Sequence, residues 1–329
     1  MLSTGDYDAP NNLVKDYVSI KIVSPGSIAN IGPGFDILGL SINNFKDTII
    51  VEAWPGNGEV IVESYGYNVP SGKNNLAYQI VKAFLKKYDV IGVDIRIRIH
   101  KGVPPNSGLG SSGASGAGVA YGLFTIFRPS FSEKELLYIA GKGEEYVAGT
   151  PHYDNVAASL FGGIILIDPL DMSVYKFKLS NPPRIVIVKP HINGLDKKTK
   201  YARQILPKQI DLKTHVVQTS LLSKLLLGMI TNDLELLGKA INQDYIAEPY
   251  RSKLIPYYWE VKAIALRHGA LEVNIAGAGP SIFMLVRDQE DAEYLAGIVR
   301  DYYYSKNIPV EVFITTPNPG GTRIVERCC

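Results

Sequence analysis

Cysteine is almost missing from this chain: among 329 residues only Cys328 and Cys329 carry thiols, side by side at the C-terminal end. Adjacent terminal thiols cannot staple a fold, and with five scattered histidines they make no zinc set. They form no recognised lipidation box either. Long apolar runs are missing too: none approaches the roughly 18 residues that a membrane span needs, and Met1 to Asp16 reads as a loosely held polar tail without the apolar core of a signal peptide. The expected location is cytoplasmic. Neither sign of charge dominates, since 34 Lys and Arg oppose 32 Asp and Glu for a formal net charge of +2. That gives no footprint for nucleic acid or a membrane surface and leaves small anionic ligands as partners. Internal repeats and low-complexity tracts are absent, and no Gly-x-x-x-x-Gly-Lys-Ser/Thr occurs, which excludes a Walker-type phosphate loop.

What is present is a folded chain, 46% hydrophobic and 20% charged, too long for one typical core. Two domains are expected, at residues 1–165 and 166–329. Alternation marks strands at 17–23 and 93–100, and segments 48–53 and 58–64 read as a hairpin. Helical spacing marks 75–88, and Ser132 with Glu135 forms a capping box that opens a helix to about residue 147. A strand is expected at 164–167. The second half reads as strands at 174–179, 185–188, 272–276, 281–286 and 310–315, with helices at 213–230, 234–241, 256–268 and 290–304. Strands and helices segregated in this way suggest an α+β architecture.

The most informative stretch is Pro104-Pro105-Asn106-Ser107-Gly108-Leu109-Gly110-Ser111-Ser112-Gly113-Ala114, between the 93–100 strand and a helical apolar segment. Glycines let the backbone turn tightly and approach a ligand, and a helix opening near Ser111 would aim free N–H groups at an anion. Ser111 and Ser112 add hydroxyls for phosphate oxygens or a magnesium shell. The plainer reading is a Gly/Ser loop capping a helix. Gly108-x-Gly110-x-x-Gly113 also matches a dinucleotide fingerprint, but seven residues with two prolines separate it from His100, so an oxidoreductase is disfavoured.

Other polar positions gather around glycine-bearing turns. The loop 24–39 carries Asn30 and Asp36. On the helix after Ser132, Glu144 shares a stripe with Leu137, Gly141 and Ala148, which suits either a bound cation or a solvated helix edge. The turn 149–155 holds His152, Asp154 and Asn155. Thr199, Arg203 and Arg251 fall in polar turns, where two arginines can clamp a carboxylate or form surface ion pairs.

Three glycine-bearing loops in this order resemble the galactokinase, homoserine kinase, mevalonate kinase and phosphomevalonate kinase (GHMP) superfamily, from about residue 17 to the end. Residues 24–39 look like its first motif, 104–114 its nucleotide loop, and 274–284 its C-terminal glycine loop. Ala29-Asn30-x-Gly32-Pro33-Gly34-Phe35-Asp36-x-x-Gly39 and His152-x-Asp154-Asn155-Val156 are similar to the homoserine kinase branch. The resemblance implies a two-domain GHMP-kinase fold, the first domain like ribosomal protein S5 domain 2 and the second a ferredoxin-like α/β sandwich. It also implies transfer of a phosphoryl group from ATP to L-homoserine, for threonine synthesis. By the same resemblance Asn30, Asp36, His152, Asn155, Thr199, Arg203 and Arg251 meet the substrate, with Asp36 on its ammonium and the arginines on its carboxylate. Ser112 and Glu144 hold Mg2+, Asn75 lies near the nucleoside, and 104–114 wraps the triphosphate. Homodimers are common in the family.

Other branches place a catalytic aspartate seven residues before the glycine pair at 162–163, where this chain has Asn155. An amide takes no proton, and Asp154 is expected to point about 100° away on a helix. The expectation is direct transfer with Asn155 orienting the hydroxyl. Two departures stand out: Gly113 where alanine is usual and Tyr153 where proline is usual. The competing readings are a kinase of the same fold for mevalonate or shikimate, and a ligand-binding regulator without turnover.

Overall fold

The computed structural model describes residues 14–128, 130–192 and 198–328, with the side chains of 198 and 199 outside that set. Most of the expected N-terminal tail therefore lies outside the described residues. The first half runs β1 (Val18–Ala29), β2 (Leu38–Pro55), β3 (Val60–Gly66), α1 (Leu76–Lys87), β4 (Val93–Lys101), α2 (Ser111–Phe127), α3 (Glu133–Ala148), α4 (Tyr153–Phe161), β5 (Ile164–Ile167) and β6 (Val174–Phe177). The second half runs β7 (Arg184–Pro190), α5 (Lys198–Gln204), α6 (Leu212–Thr231), α7 (Leu234–Ile241), α8 (Glu248–Arg251), α9 (Tyr258–Arg267), β8 (Glu272–Ile275), β9 (Ile282–Val286), α10 (Gln289–Ser305), β10 (Val310–Thr315) and β11 (Arg323–Cys328). The α+β reading holds. Among the described residues, no helix is long and apolar enough to cross a membrane.

Seven strands form the first sheet, in the order β11-β1-β2-β4-β3, with β5 joined to β2 and β6 joined to β5. The expected hairpin does not exist. β4 sits between β2 and β3, and β3 runs parallel to β4 after a crossover through α1. Parallel neighbours require such a crossover, and alternation cannot reveal which strand is the partner. The expected division at 165/166 falls inside β5, and β5, β6 and the C-terminal β11 all stay with this sheet.

β4 shows how the sheet buries one face. Its sequence VDIRIRIHK alternates, placing Val93, Ile95, Ile97 and Ile99 in a core shared with α1, α2, α3 and α4, while Arg98 pairs with Glu52 on the other side. The capping box is present: the Ser132 side chain accepts from Glu135 N, and the Glu135 carboxylate accepts from Ser132 N.

The second sheet, β10-β7-β9-β8, is antiparallel and covered on both faces. Along β7, Ile185 and Ile187 enter a core with α6, α7 and the ends of β1 and β2, whereas Val186 and Val188 enter another under α9 and α10. The middle core thus belongs to both halves of the chain. It contains Leu109 and Ala114 beside Ala276 and Phe283, so apolar packing joins the two glycine loops from behind.

Fold and site approach closely at Gly39 on β2, where an added Cβ would lie 2.2 Å from Asp154 O and 3.0 Å from Ala158 Cβ. Gly39→Ala should lower the unfolding free energy by about 1–3 kcal/mol, the usual cost of overpacking. Gly297 on α10 has nothing within 4 Å of such a Cβ, so Gly297→Ala should be neutral or stabilising by up to about 1 kcal/mol. Thermal melts of the two variants beside wild type check both; equal melting temperatures would contradict the packing argument.

Candidate active site

Gly110 caps α2 without any side chain to cap it, in a left-handed conformation at φ 67°. The first intrahelical donor is Ala114 N, bonded to Gly110 O at 2.8 Å. The amides of Ser111, Ser112 and Gly113 are therefore left to the space ahead of the helix. That space is a cavity of about 540 Å³. Pro105, Asn106, Ser107, Gly108, Gly110, Ser111 and Ser112 line it, which agrees with a cradle. Pro104, Leu109, Gly113 and Ala114 do not line it: Leu109 and Ala114 are spent on the shared core. Ser111 is committed as well, its hydroxyl donating to Val103 O at 2.9 Å. Side chains could not replace the glycines. At Gly108 (φ 84°) a Cβ would meet Ala276 O at 2.2 Å, and at Gly110 it would meet Ser27 Oγ at 2.1 Å.

Gly113 has a local reason. A Cβ there would press to 3.1 Å from Asn155 Cβ, so the missing methyl gives Asn155 room. Tyr153, the other departure, lies over Gly141 of α3, where a Cβ would come within 2.5 Å of its ring. Asn155 accepts from Ser27 Oγ at 2.9 Å through Oδ1 and lines the cavity. Asp154, in the first turn of α4, lines it too. Burial first, and the charge of Asp36 second, raise the Asp154 carboxyl to about 6.

Glu144, only 4% exposed, does face the interior. One oxygen meets His152 Nδ1 at 3.2 Å, and Oε1 is buried without a hydrogen-bond partner. Burial alone would lower the His152 pKa, but the hydrogen bond and charge of Glu144, with Asp154 and Asp36, raise it overall. A buried carboxylate oxygen without a partner suits a cation. Among the described residues no cluster of three or more His, Cys, Asp or Glu forms a metal cage. Magnesium typically takes one or two carboxylates plus substrate phosphates, so Glu144 and the Ser112 hydroxyl are a fitting donor set.

Arg203 and Arg251 lie in helices α5 and α8 rather than turns. Four to seven residues are too few to show a helical period. Both arginines line the cavity, and each guanidinium lies 5.2 Å from the Phe35 ring, one ring shared by two cations. Arg203 is ion-paired with Asp36. Arg251 Nη1 donates to Gly277 O at 2.8 Å, and Asn30 Nδ2 donates to the same oxygen at 3.2 Å. Thr199 is in α5, with its side chain outside the described residues. Asn75 lines the far end of the cavity, but its amide is occupied: Nδ2 donates to Ser64 Oγ and Pro70 O, and Oδ1 accepts from Ala77 N. It shapes that wall together with Val69, Pro70 and Leu76.

Sequence reasoning missed Phe35, Lys101 and Asp47. Lys101 and Asp47 form a buried ion pair, and Lys101 lines the cavity. The signal was available in the parity. Lys101 continues the inward series 93, 95, 97, 99, and Asp47 continues 49, 51, 53 on the neighbouring strand. A charge at an inward position of each of two strands marks a buried pair.

Residues 75–163 match the GHMP kinases N-terminal domain and 222–305 the GHMP kinases C-terminal domain. Homoserine kinase of Pyrococcus horikoshii is 35% identical over 304 residues, 92% of this chain and 98% of its own length. That of Sulfurisphaera tokodaii is 38% identical over 273 residues, 82% and 88% of the respective chains. The crystal structure of homoserine kinase from Cytophaga hutchinsonii superposes with a TM-score of 0.85 at 34% identity, covering 93% of this chain and 97% of that one. Mevalonate kinase of L. major, at 16% identity and TM-score 0.67 over 94% and 98%, shares the fold. The chain belongs to the GHMP kinase family, in its homoserine kinase branch.

Proposed function

We propose that this protein transfers the γ-phosphoryl group of ATP to the side-chain hydroxyl of L-homoserine, giving ADP and O-phospho-L-homoserine for threonine synthesis. The observation that carries the reading is one cavity, ahead of the α2 N-terminus, lined both by the carboxyls of Asp36 and Asp154 and by the guanidinium groups of Arg203 and Arg251. A free amino acid needs an anion for its ammonium and a cationic fork for its carboxylate. Mevalonate and shikimate carry a carboxylate without an ammonium, and galactose carries neither. An ADP-release assay across these four alcohols tests the reading: turnover with homoserine at least a hundredfold above the others is expected, and preference for any other alcohol defeats it.

In this reading Asp36 and Asp154 receive the ammonium, and Arg203 and Arg251 the carboxylate. Those contacts leave the hydroxyl end directed toward Asn155 and the phosphate cradle. Asn155, braced by Ser27, orients the hydroxyl; the hydroxyl oxygen bonds to the phosphorus as the bond to the β-phosphate oxygen breaks, and the hydroxyl proton passes to an oxygen of the transferred phosphoryl group. The exposed amides of α2 stabilise negative charge on the phosphates from a fixed position. Magnesium, when bound through Ser112 and Glu144, supplies charge neutralisation at the transferring group. A loose transition state makes positioning and electrostatics the main demands, so a dedicated base is not required. Glu144→Gln should move the magnesium titration of activity to higher concentration and lower kcat, whereas a superimposable curve would reduce Glu144 to a partner of His152.

The raised Asp154 pKa gives a sign for pH dependence. Because kcat/KM reports the free enzyme, kcat/KM for homoserine should fall as pH drops through about 6, where the carboxylate takes a proton and loses its hold on the ammonium. Above that pH the group is charged and the profile levels. Asp154→Asn should flatten this limb while keeping kcat within about tenfold of wild type, since a general base typically contributes 10²–10⁴. Persistence of the limb would mean that Asp154 does not set it. A thousandfold loss of kcat with homoserine binding intact would make Asp154 the proton acceptor.

A further inference from the structure

Behind the cavity, in the second half of the chain, lies a group of buried ionisable side chains that the reaction does not touch. Glu248, Lys262, Tyr258 and Asp244 are each no more than 7% exposed. Lys262 Nζ and Tyr258 Oη both donate to Glu248 Oε1, and Lys262 also donates to Asn242 O at 2.7 Å. Asp244 accepts from the amides of Ile246, Ala247 and Glu248 at 2.9 to 3.1 Å, and from Gln218 Nε2 at 2.9 Å. Burying so many polar groups is costly unless each is paired, and such a network fixes one geometry rather than adding much net stability.

The geometry it fixes is that of α8. This helix has four residues, beginning with Glu248 and ending with Arg251. One turn cannot hold itself in water. Its orientation is imposed by Asp244 at the entering backbone and by α9, which grips the Glu248 carboxylate from Tyr258 and Lys262. Arg251 leaves the far end of that turn, where its guanidinium meets Gly277 O at 2.8 Å and Ala202 O at 3.4 Å and lies against Phe35. The same Gln218 that braces Asp244 reaches Pro33 O at 3.4 Å, beside Phe35 in the first motif.

We propose that Glu248, held by Tyr258 and Lys262, is a positioning residue that sets the reach of Arg251, so that grip on the substrate carboxylate is tuned from α9. This rests on the homoserine reading of the cavity. Arg251 lines the cavity whereas neither Tyr258 nor Glu248 does, so their effect must pass through Arg251 and spare ATP.

Tyr258→Phe removes one hydrogen bond to Glu248 and keeps the ring, which makes it the variant of choice; Glu248→Gln is the second. Each should raise the homoserine KM by about three- to tenfold, the scale of a loosened charge-assisted hydrogen bond, with the ATP KM within twofold of wild type. In an Arg251→Ala background Tyr258→Phe should add nothing, because coupled residues are non-additive. An unchanged homoserine KM, a matching rise for ATP, or a full further rise in the Arg251→Ala background each overturns the proposal. Wild-type turnover is measured first. Absence of ADP release with homoserine would defeat the functional reading itself, and this inference with it, whereas normal wild-type turnover with unmoved variants would defeat this inference alone.

Discussion

Everything in the cavity depends on where α2 begins, and the buried pair of Lys101 with Asp47 fixes that point. Asp47 Oδ1 accepts from the amides of Gly102 and Val103, and Oδ2 from Lys101 and Ser115; Lys101 also donates to Ser111 O at 2.8 Å. One ion pair therefore ties the end of β4, the entry to the glycine loop and the first turn of α2 to β2. Burial lowers the Lys101 pKa, with the Asp47 charge opposing it. Removing one partner of such a pair typically costs about 3–5 kcal/mol, because the other charge is stranded. There is a chemical consequence too. Lys101 lines the cavity, but its charge is already matched by Asp47, so on the proposed reading attraction for phosphate comes from the oriented amides of α2 more than from a lysine point charge.

The substrate end uses a different economy. Asp36 and Arg203, both lining the cavity, are partners of each other, and Glu144 is partnered by His152. On the proposed reading, a zwitterion entering between Asp36 and Arg203 exchanges one ion pair for two, leaving the net charge unchanged. Partner exchange of this kind gives selectivity for the presence of both charges rather than very tight binding, because the broken pair offsets much of what the new ones contribute. Phe35 sets the geometry by holding both guanidinium groups against one ring.

Where the sequence was legible, the constraint was local. Gly108 and Gly110 announce a backbone in left-handed conformation, Ser132 with Glu135 announces a helix start, and alternation announces β4. Pairing was not legible: β2 and β3 alternate as a hairpin would, and nothing within either segment says that β4 comes between them. The first strand was read as ending at residue 23, although it runs to Ala29, because Pro25 and Gly26 look like a turn when they form a bulge against β2. Arg203 and Arg251 stand out as cations in expected polar turns, because their helices are too short for periodicity to betray. Phe35 was hidden for a simpler reason: an aromatic beside glycines reads as packing until two cations are seen to share it.

The remaining question is what sets the distance between the hydroxyl and the phosphate, since a misplacement of about 1 Å can cost a hundredfold in rate. The three glycine-bearing loops answer it through their backbones. Gly277 N donates to Ala29 O at 3.3 Å, and Ser281 N donates to Ser107 O at 3.2 Å. Gly277 O collects Asn30 and Arg251. Gly108 closes against Ala276 so tightly that any Cβ would separate them. The phosphate cradle and the amino-acid pocket thus share one main-chain wall, the 276–279 turn between β8 and β9. Main-chain contacts have few soft torsions, so this wall transmits position with little slack. On the proposed reading, a turn that carries no functional group of its own therefore sets the register between the two reactants, and its small residues are required by the approach of the chains rather than by the chemistry.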